Sequence, residues 1–413
     1  MKQRTPVARA ARPGPDAARA RPPAQPLAPA SLFDLGASRR WVRPEQTMER
    51  ARALFGMTGI TRLADVTGLD RIGIPVWLAI RPNGRSLSGG QGKGVTDAAA
   101  QASAVMESIE TWHAEHLPAG EVASFAALGP GRALDPGRLD AGPDRDRWDP
   151  GREVAWLAGS DLLAGTGILV PRQSLDIDLT CLSGPRFLAG STNGLASGNR
   201  RDEAILHGLY ELVERDAERR WRLRPAADRV ATAVDQDELA GAQPAAGALL
   251  EQIRTAGCEV AIFNCTGPTA IPTYRCVIAD QIREFRPLSC CGVGAHGLAR
   301  VAVLRAITEA AQSRATIIAG SRDDKYPGLY SAALTEVLRR GAPAPPPARC
   351  SFSAGVRELA AASPAGEAGQ VLERLAGTGV RRVAAVDLAR PGTGLAVVRV
   401  AAEGFLLPGA YRR

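Results

Sequence analysis

The sequence predicts a large mixed protein of strands and long helices, and three observations point there. Strand-like runs come in neighbouring pairs, each pair followed by a long helical run: Ile60 to Val66 with Gly73 to Ile80, Val154 to Leu157 with Gly167 to Val170, and Glu259 to Phe263 with Thr273 to Ala279. A glycine-bearing polar stretch opens a helix with one polar face three times over. The 413 residues are 45% hydrophobic and 23% charged, which is an ordinary globular composition with room for a large core.

Several function classes drop out on composition. No run of 18 or more apolar residues is present, so no membrane span is expected. The basic N-terminus lacks an apolar h-region, so no secretory signal is expected, and cytoplasmic residence is the default. The net charge of +8 is weak evidence for nucleic acid, because several arginines sit in the first residues and no basic helix interleaves aromatics. Only Lys2, Lys93 and Lys325 are lysines. The seven cysteines form no CxxC pair and are an odd number, so they read as small buried hydrophobes. His113, His116, His207 and His296 are too scattered for a histidine metal site.

In chain order, residues 1–42 are rich in Pro, Ala and Arg and cannot bury enough surface to offset ordering entropy. They are expected to form a disordered tail ahead of a single folded unit, residues 43–413. Glu45 to Phe55 reads as the first helix. After the first strand pair comes Arg81 to Thr96, a glycine-rich stretch with two decoys. Leu87-Ser-Gly-Gly-Gln91 matches a transport-ATPase signature, and Gly92-Lys93 resembles the end of a Walker A loop. The Walker pattern needs Gly where Leu87 stands and Ser or Thr where Gly94 stands, so neither holds. What survives is a flexible loop with exposed N–H groups and one lysine at a helix N-terminus, which reads as an anion site or a plain surface turn. Residues 118 to 150 hold short elements at most. Ala248 to Ala256 is a helix stopped by Gly257, and Gly292 to Gly297 is a further glycine turn. Gly341 to Pro347 is a stiff linker. Beyond it, a helix around Gly369 to Leu375 precedes strands near Val380 to Val386 and Leu395 to Val400.

The three long helices share a design. In the first, Asp97 to Glu115, Ala102, Val105, Met106, Ile109 and Trp112 form the core face, and Glu107 and Glu110 point the other way with Ser103. In the second, capped by Asp202, Glu203, His207, Glu211 and Glu214 share a narrow arc opposite Ile205, Leu209, Leu212 and Val213, at about 100° per residue. In the third, Arg300 to Ile318, Arg305, Glu309, Gln312 and Thr316 face away from Val303, Leu304, Ile307 and Ala311. Like charges three or four apart destabilise an isolated helix unless a cation bridges them. Each stripe alone fits a solvated acidic face as well as a cation site. Converged, Glu107, Glu110, Glu203, Glu211, Glu214 and Glu309 would form a wall suited to Mg²⁺, with Lys93, Arg215 and Arg305 suited to phosphates.

Three blocks carry a resemblance. Gly92-Lys-Gly94 with Ser103-Ala-Val-Met-Glu-Ser-Ile-Glu110 resembles the first block of the YcaO family. Ser191-Thr-Asn-Gly194 with Glu203-Ala204 and Glu211-Leu-Val-Glu-Arg-Asp216 is similar to the second. Arg305 to Arg314, followed by Ser321-Arg-Asp-Asp324, is similar to the third. The resemblance covers roughly residues 45 to 410. It places the first two ATP-site blocks in 43–221, the third in 222–340, and a linker with a C-terminal α/β segment in 341–413.

The resemblance implies an α+β YcaO-type fold, with mixed or antiparallel sheets and helices carrying a carboxylate-lined site for ATP and Mg²⁺. It makes the six glutamates above Mg²⁺ ligands or their neighbours, and it gives Lys93, Asn199, Arg215, Arg305 and Gln312 to the nucleotide, with Arg314 a weaker assignment. No catalytic nucleophile stands out. Family members use ATP to phosphorylate a backbone amide oxygen of a peptide or protein. A Cys, Ser or Thr side chain of the substrate then attacks to give an azoline, or external sulfide attacks to give a thioamide. Azoline-forming members often end in a Pro-x-Pro-x-Pro tail and carry a leader-binding domain. This chain ends Leu407-Pro-Gly-Ala-Tyr-Arg-Arg413 with only the tail ahead of its core. With the Gly73 to Pro82 stretch, that resembles the subgroup that works with a TfuA-like partner and is associated with thioamides. The family also implies a homodimer. A non-catalytic peptide- or partner-binding member is the alternative of another class, and the complete set of repelling glutamates argues against it.

Overall fold

The computed structural model describes residues 32–180, 184–280, 289–320, 346–359 and 361–405. The α+β class predicted from the sequence is the class adopted. The chain opens with a short hairpin, β1 (Phe33–Asp34) and β2 (Arg39–Arg40), followed by α1 (Pro44–Arg52) and the single turn α2 (Phe55–Thr58). Then β3 (Arg62–Asp65), β4 (Val76–Ile80) and β5 (Gly89–Lys93) make an antiparallel sheet covered by α3 (Asp97–Ala114).

Next come β6 (Glu121–Ser124), α4 (Phe125–Leu128), β7 (Glu153–Asp161), β8 (Thr166–Pro171), β9 (Leu195–Gly198) and the long α5 (Arg201–Arg222). After α6 (Ala226–Val230), α7 (Gln236–Ala242) and α8 (Pro244–Thr255), three strands form a second antiparallel sheet. These are β10 (Cys258–Asn264), β11 (Thr273–Asp280) and β12 (Ser289–Ala295), and α9 (Ala299–Ala319) covers them. The chain closes with α10 (Pro364–Gly377), β13 (Val383–Asp387) and β14 (Ala396–Ala402). The last two strands return to the six-stranded central sheet, in the order β6-β7-β13-β14-β9 with β8 on β7.

Each long helix packs its apolar stripe onto a sheet. Leu209, Leu212 and Val213 of α5 bury against Val398 and Val400. Val105 and Ile109 of α3 bury with Leu195 and Val397. Ala302, Val303, Ala306 and Ile307 of α9 bury with Cys276 and Ile278. Cys258, Cys265, Cys276 and Cys290 are buried, in keeping with their reading as small hydrophobes, while Cys291 and Cys350 are only partly buried.

The glycine stretches differ from expectation. The Arg81 to Thr96 segment is no flexible loop at its centre, because Gly89–Lys93 is a paired strand, register Val76↔Lys93 to Ile80↔Gly89. Gly292 and Gly294 likewise lie inside β12 rather than in a turn. The reason is helix approach. A Cβ on Gly92 would stand 2.0 Å from the Ala100 carbonyl oxygen and 2.2 Å from the Ala104 nitrogen, and one on Gly292 would stand 2.2 Å from the Ala310 nitrogen. Alternation then aims Gln91 and Lys93 away from α3 and towards α9.

Two further expectations shift. Inside the stretch expected to be a tail, β1 and β2 pair with each other. The cap of α5 is Arg200, with Asp202 in the first turn. Ser321-Arg-Asp-Asp324, Cys181, Lys325 and most of the proline-rich linker lie outside the described residues.

Candidate active site

The polar faces of α3, α5 and α9 converge on a cavity of about 580 Å³. Glu107 and Glu110 enter from α3; His207, Glu211, Glu214 and Arg215 from α5; Arg305, Glu309 and Gln312 from α9. Lys93 at the end of β5 and Asn199 just after β9 complete the predicted set. Five of the six predicted carboxylates therefore share one cavity.

Four of the five are anchored from glycine-bearing strands, and Glu211 from the turn that leads into β9. Glu107 accepts from the Gln91 N–H (3.2 Å), Glu211 from the Gly194 N–H (3.2 Å) and Glu214 from the Ala295 N–H (3.2 Å). Glu110 accepts from the Ser197 hydroxyl (2.5 Å), and Glu309 from the Val293 N–H (3.5 Å) and from Lys93 Nζ (2.5 Å). The close strand–helix approach that needs glycine is thus what lets strand donors orient the carboxylates, the role outer contacts play at metal sites.

Glu203 stands apart. It is 2% exposed and does not line the cavity; its two oxygens accept from the Trp41 N–H (2.6 Å) and the Asn199 N–H (2.8 Å). Those bonds join the N-terminal hairpin to the start of α5. Arg314 is also elsewhere, buried in ion pairs with Asp70 and Asp280 at 2.9 Å each.

The electrostatics are lopsided. Burial, with Glu107 and Glu211 adding repulsion, pushes the Glu110 carboxyl up to about 8. Burial and Glu309 push Glu214 up to about 7 against the pull of Arg215. Burial also raises Glu211. Glu309 is the exception. Burial would raise it as well, but Lys93 and Arg215 hold it down to about 2. At the hairpin end, burial and the flanking Arg40, Arg305 and Lys93 depress His207, so its ring is neutral. Arg40 reaches His207 Nδ1 at 3.2 Å, and Arg305 reaches Nε2 at 3.5 Å. Arg40, which lines the cavity, escaped the sequence reading because it fell in the supposed tail. The signal was there in Trp41, a large aromatic in an otherwise Pro- and Ala-rich run.

This donor set fits Mg²⁺ with a polyphosphate. The carboxylates are hard oxygen donors, and burial holds three of them above their ordinary range. Lys93, Arg215, Arg305 and Arg40 offer phosphate partners in the same cavity. Among the described residues no three His, Cys, Asp or Glu side chains already form a metal cage. Mg²⁺ needs none, since it binds through one or two carboxylates with water and substrate phosphates. No helix among the described residues is long and apolar enough to cross a membrane.

Comparison with known proteins identifies the family and the fold. A family model described as YcaO cyclodehydratase, ATP- and Mg²⁺-binding, matches residues 91–406. A protein in the tfuA 3′ region of Rhizobium leguminosarum bv. trifolii is 35% identical over 386 residues, 89% of this chain and 88% of its own. A Methanothermobacter thermautotrophicus protein is 37% identical over 298 residues, 68% of this chain and 72% of its own. Two solved structures share the fold. One is a heterocyclase in complex with substrate and cofactor (TM-score 0.74, 23% identity), of which this chain, matched over 89% of its length, spans only 53%. The other is YcaO from Methanopyrus kandleri bound with AMPPCP and Mg²⁺ (TM-score 0.66, 23% identity, 93% of this chain and 99% of that one). The protein belongs to the YcaO family, whose cofactors are ATP and Mg²⁺.

Proposed function

We propose that the protein uses ATP to activate a backbone amide of a peptide or protein for attack by sulfide, giving a thioamide. The observation that carries this reading is the single cavity in which five oriented carboxylates share space with Lys93, Arg215 and Arg305. An amide oxygen is a poor leaving group and its phosphate a good one. In the proposed reaction the amide oxygen attacks the γ-phosphorus and ADP departs. Hydrosulfide adds to the activated carbon, and phosphate and a proton leave. Mg²⁺ would offset the charge of the phosphates during transfer. Glu107, Glu110, Glu211, Glu214 and Glu309 would hold it. Lys93, Arg215, Arg305 and Arg40 would bind and align phosphate oxygens. Asn199 is committed to Thr47 and Arg50, at 2.8 and 3.2 Å, and Gln312 to the Gln91 carbonyl at 2.9 Å, so both would act by shaping the wall.

Sulfide is preferred as nucleophile because the Rhizobium relative is described by its place beside tfuA. A TfuA-like partner would then supply the sulfur. Azoline formation is the second reading, favoured by the word cyclodehydratase in the family description. The two are separated by mass spectrometry of a candidate peptide incubated with protein, ATP, Mg²⁺, a TfuA-like protein and sulfide. Thioamidation adds the difference between sulfur and oxygen. Loss of one water instead would contradict it in favour of the azoline.

A linked pH effect follows. Between the ordinary carboxylate value of 4.5 and the raised values of about 7 and 8, the metal-free native state binds more protons at Glu214 and Glu110 than the unfolded chain does. These groups therefore make metal-free stability fall as pH rises through that window. Mg²⁺ competes with those protons, so Mg²⁺ with AMPPCP is expected to raise Tm more at pH 8 than at pH 6. Equal increments at the two pH values would contradict the arrangement.

A further inference from the structure

His207 on α5 is partly buried, lines the cavity, and has no role in the reaction described above. Two guanidiniums reach its two ring nitrogens. Arg40 Nη2, from the N-terminal hairpin, stands 3.2 Å from Nδ1, and Arg305 Nη2, from α9, stands 3.5 Å from Nε2. A guanidinium only donates, and a neutral imidazole carries one N–H and one lone pair. The ring is neutral because burial and the flanking cations oppose a second proton. In either tautomer, therefore, one of the two contacts is a hydrogen bond and the other sets two donors face to face. The tautomer is assigned by distance. The shorter contact is the hydrogen bond, so Nδ1 accepts from Arg40, and Nε2 carries the proton towards Arg305.

Two donors on residues that both line the cavity thus face one another with no acceptor between them. Arg305 is short of partners elsewhere too. Its Nε is buried with no hydrogen-bond partner among the described residues, and Glu214 Oε2 lies 4.0 Å from Nη2, beyond hydrogen-bonding range. Donors left unmet inside a protein are costly. A single oxygen about 2.9 Å from both nitrogens would satisfy the pair. An anionic oxygen suits it, because both groups donate and one is charged. We infer that His207 is a nucleotide-binding residue: its Nε2–H and Arg305 together grip one phosphate oxygen, while its Nδ1 holds Arg40 in place.

The inference rests on the proposal that this cavity takes a polyphosphate with Mg²⁺, and its test separates the two. AMPPCP with Mg²⁺ is titrated by calorimetry into wild type, His207→Asn and His207→Gln, with melting curves on each. The side-chain amide of Asn occupies the place of Nδ1 and that of Gln the place of Nε2. Asn can therefore keep the bond to Arg40 but loses the donor, whereas Gln keeps a donor beside Arg305. His207→Asn is expected to weaken binding about tenfold, and His207→Gln to stay within about threefold of wild type. Asn binding at wild-type strength, or Gln binding more weakly than Asn, overturns the inference, because the ring then serves Arg40 alone. Nitrogen-15 spectra of the imidazoles, of which the chain has four, give a second readout that needs no variant to fold. The His207 ring is expected to be the Nε2–H tautomer, with the Nε2 resonance shifting on addition of Mg²⁺ and AMPPCP. A proton on Nδ1, or an Nε2 resonance unmoved at saturation, overturns the inference. Wild type that binds no AMPPCP overturns the nucleotide site itself, and the inference with it.

Discussion

Gly92→Ala will separate β5 from α3 and disable the cavity from behind. The added methyl carbon would meet the Ala100 carbonyl oxygen at 2.0 Å and the Ala104 nitrogen at 2.2 Å. Both are helix backbone atoms, which cannot rotate aside as a side chain would. Either α3 withdraws or β5 bends, at a cost of at least ~3 kcal/mol. Withdrawal would pull Glu107 off the Gln91 N–H and carry Glu110 away from Ser197. The expected result is a melting temperature lower by several degrees, with Mg²⁺-dependent nucleotide binding lost in protein that is still folded. The control is Gly131→Ala, where a Cβ meets nothing within 4 Å. If Gly92→Ala behaves like that control, the close approach of strand and helix is not what shapes the site.

The second large effect is a change with opposite signs for stability and for binding. Glu214 is buried and Glu211 partly so, and the loss of solvation raises both carboxyls, with Glu309 adding its charge to each. Replacing both with Gln removes the repulsion and keeps the shape. The metal-free Glu211→Gln, Glu214→Gln protein is expected to melt at or above the wild-type temperature, the exchange of function for stability common at active sites. The ion pairs from Arg215 to Glu211 and Glu214 (3.9 and 3.5 Å) are lost, which limits the gain. Arg215 keeps Glu309 as a partner field. Binding goes the other way. With two oxygen donors neutral, AMPPCP affinity in the presence of Mg²⁺ is expected to fall by more than about 100-fold, since each carries outer contacts of the kind worth tenfold or more. Melting curves of both proteins with and without Mg²⁺·AMPPCP check this. A double variant that is both destabilised and still stabilised by ligand would contradict it.

The face that lines the cavity was legible because helix periodicity is a strong signal. The stripes Glu107/Glu110, Glu211/Glu214 and Glu309/Gln312 follow from spacing, and they do converge. The supporting shell was harder to see. Gly90, Gly92, Gly292 and Gly294 read as turns because glycine usually marks them, and the packing that demands glycine in a strand is visible only with the helix in place. Glu203 shares the arc of Glu211, so periodicity alone groups them. It lies about two turns nearer the N-terminus, where the Trp41 and Asn199 N–H groups take it. Arg314 failed for a related reason, because its partners Asp70 and Asp280 are remote in sequence. The hairpin that brings in Arg40 was hidden by composition, and its anchors, Arg39 to Glu367 at 3.4 Å and Trp41 to Glu203, are tertiary.

The measurement that bears most directly on the central claim is calorimetric titration of AMPPCP into the wild-type protein, with Mg²⁺ and with EDTA, alongside the Glu211→Gln, Glu214→Gln variant. Saturable binding that needs Mg²⁺ and that the variant loses is the predicted result. Binding of equal strength in EDTA, or retained by the variant, would mean that the carboxylates on the three helices do not hold a metal–nucleotide complex.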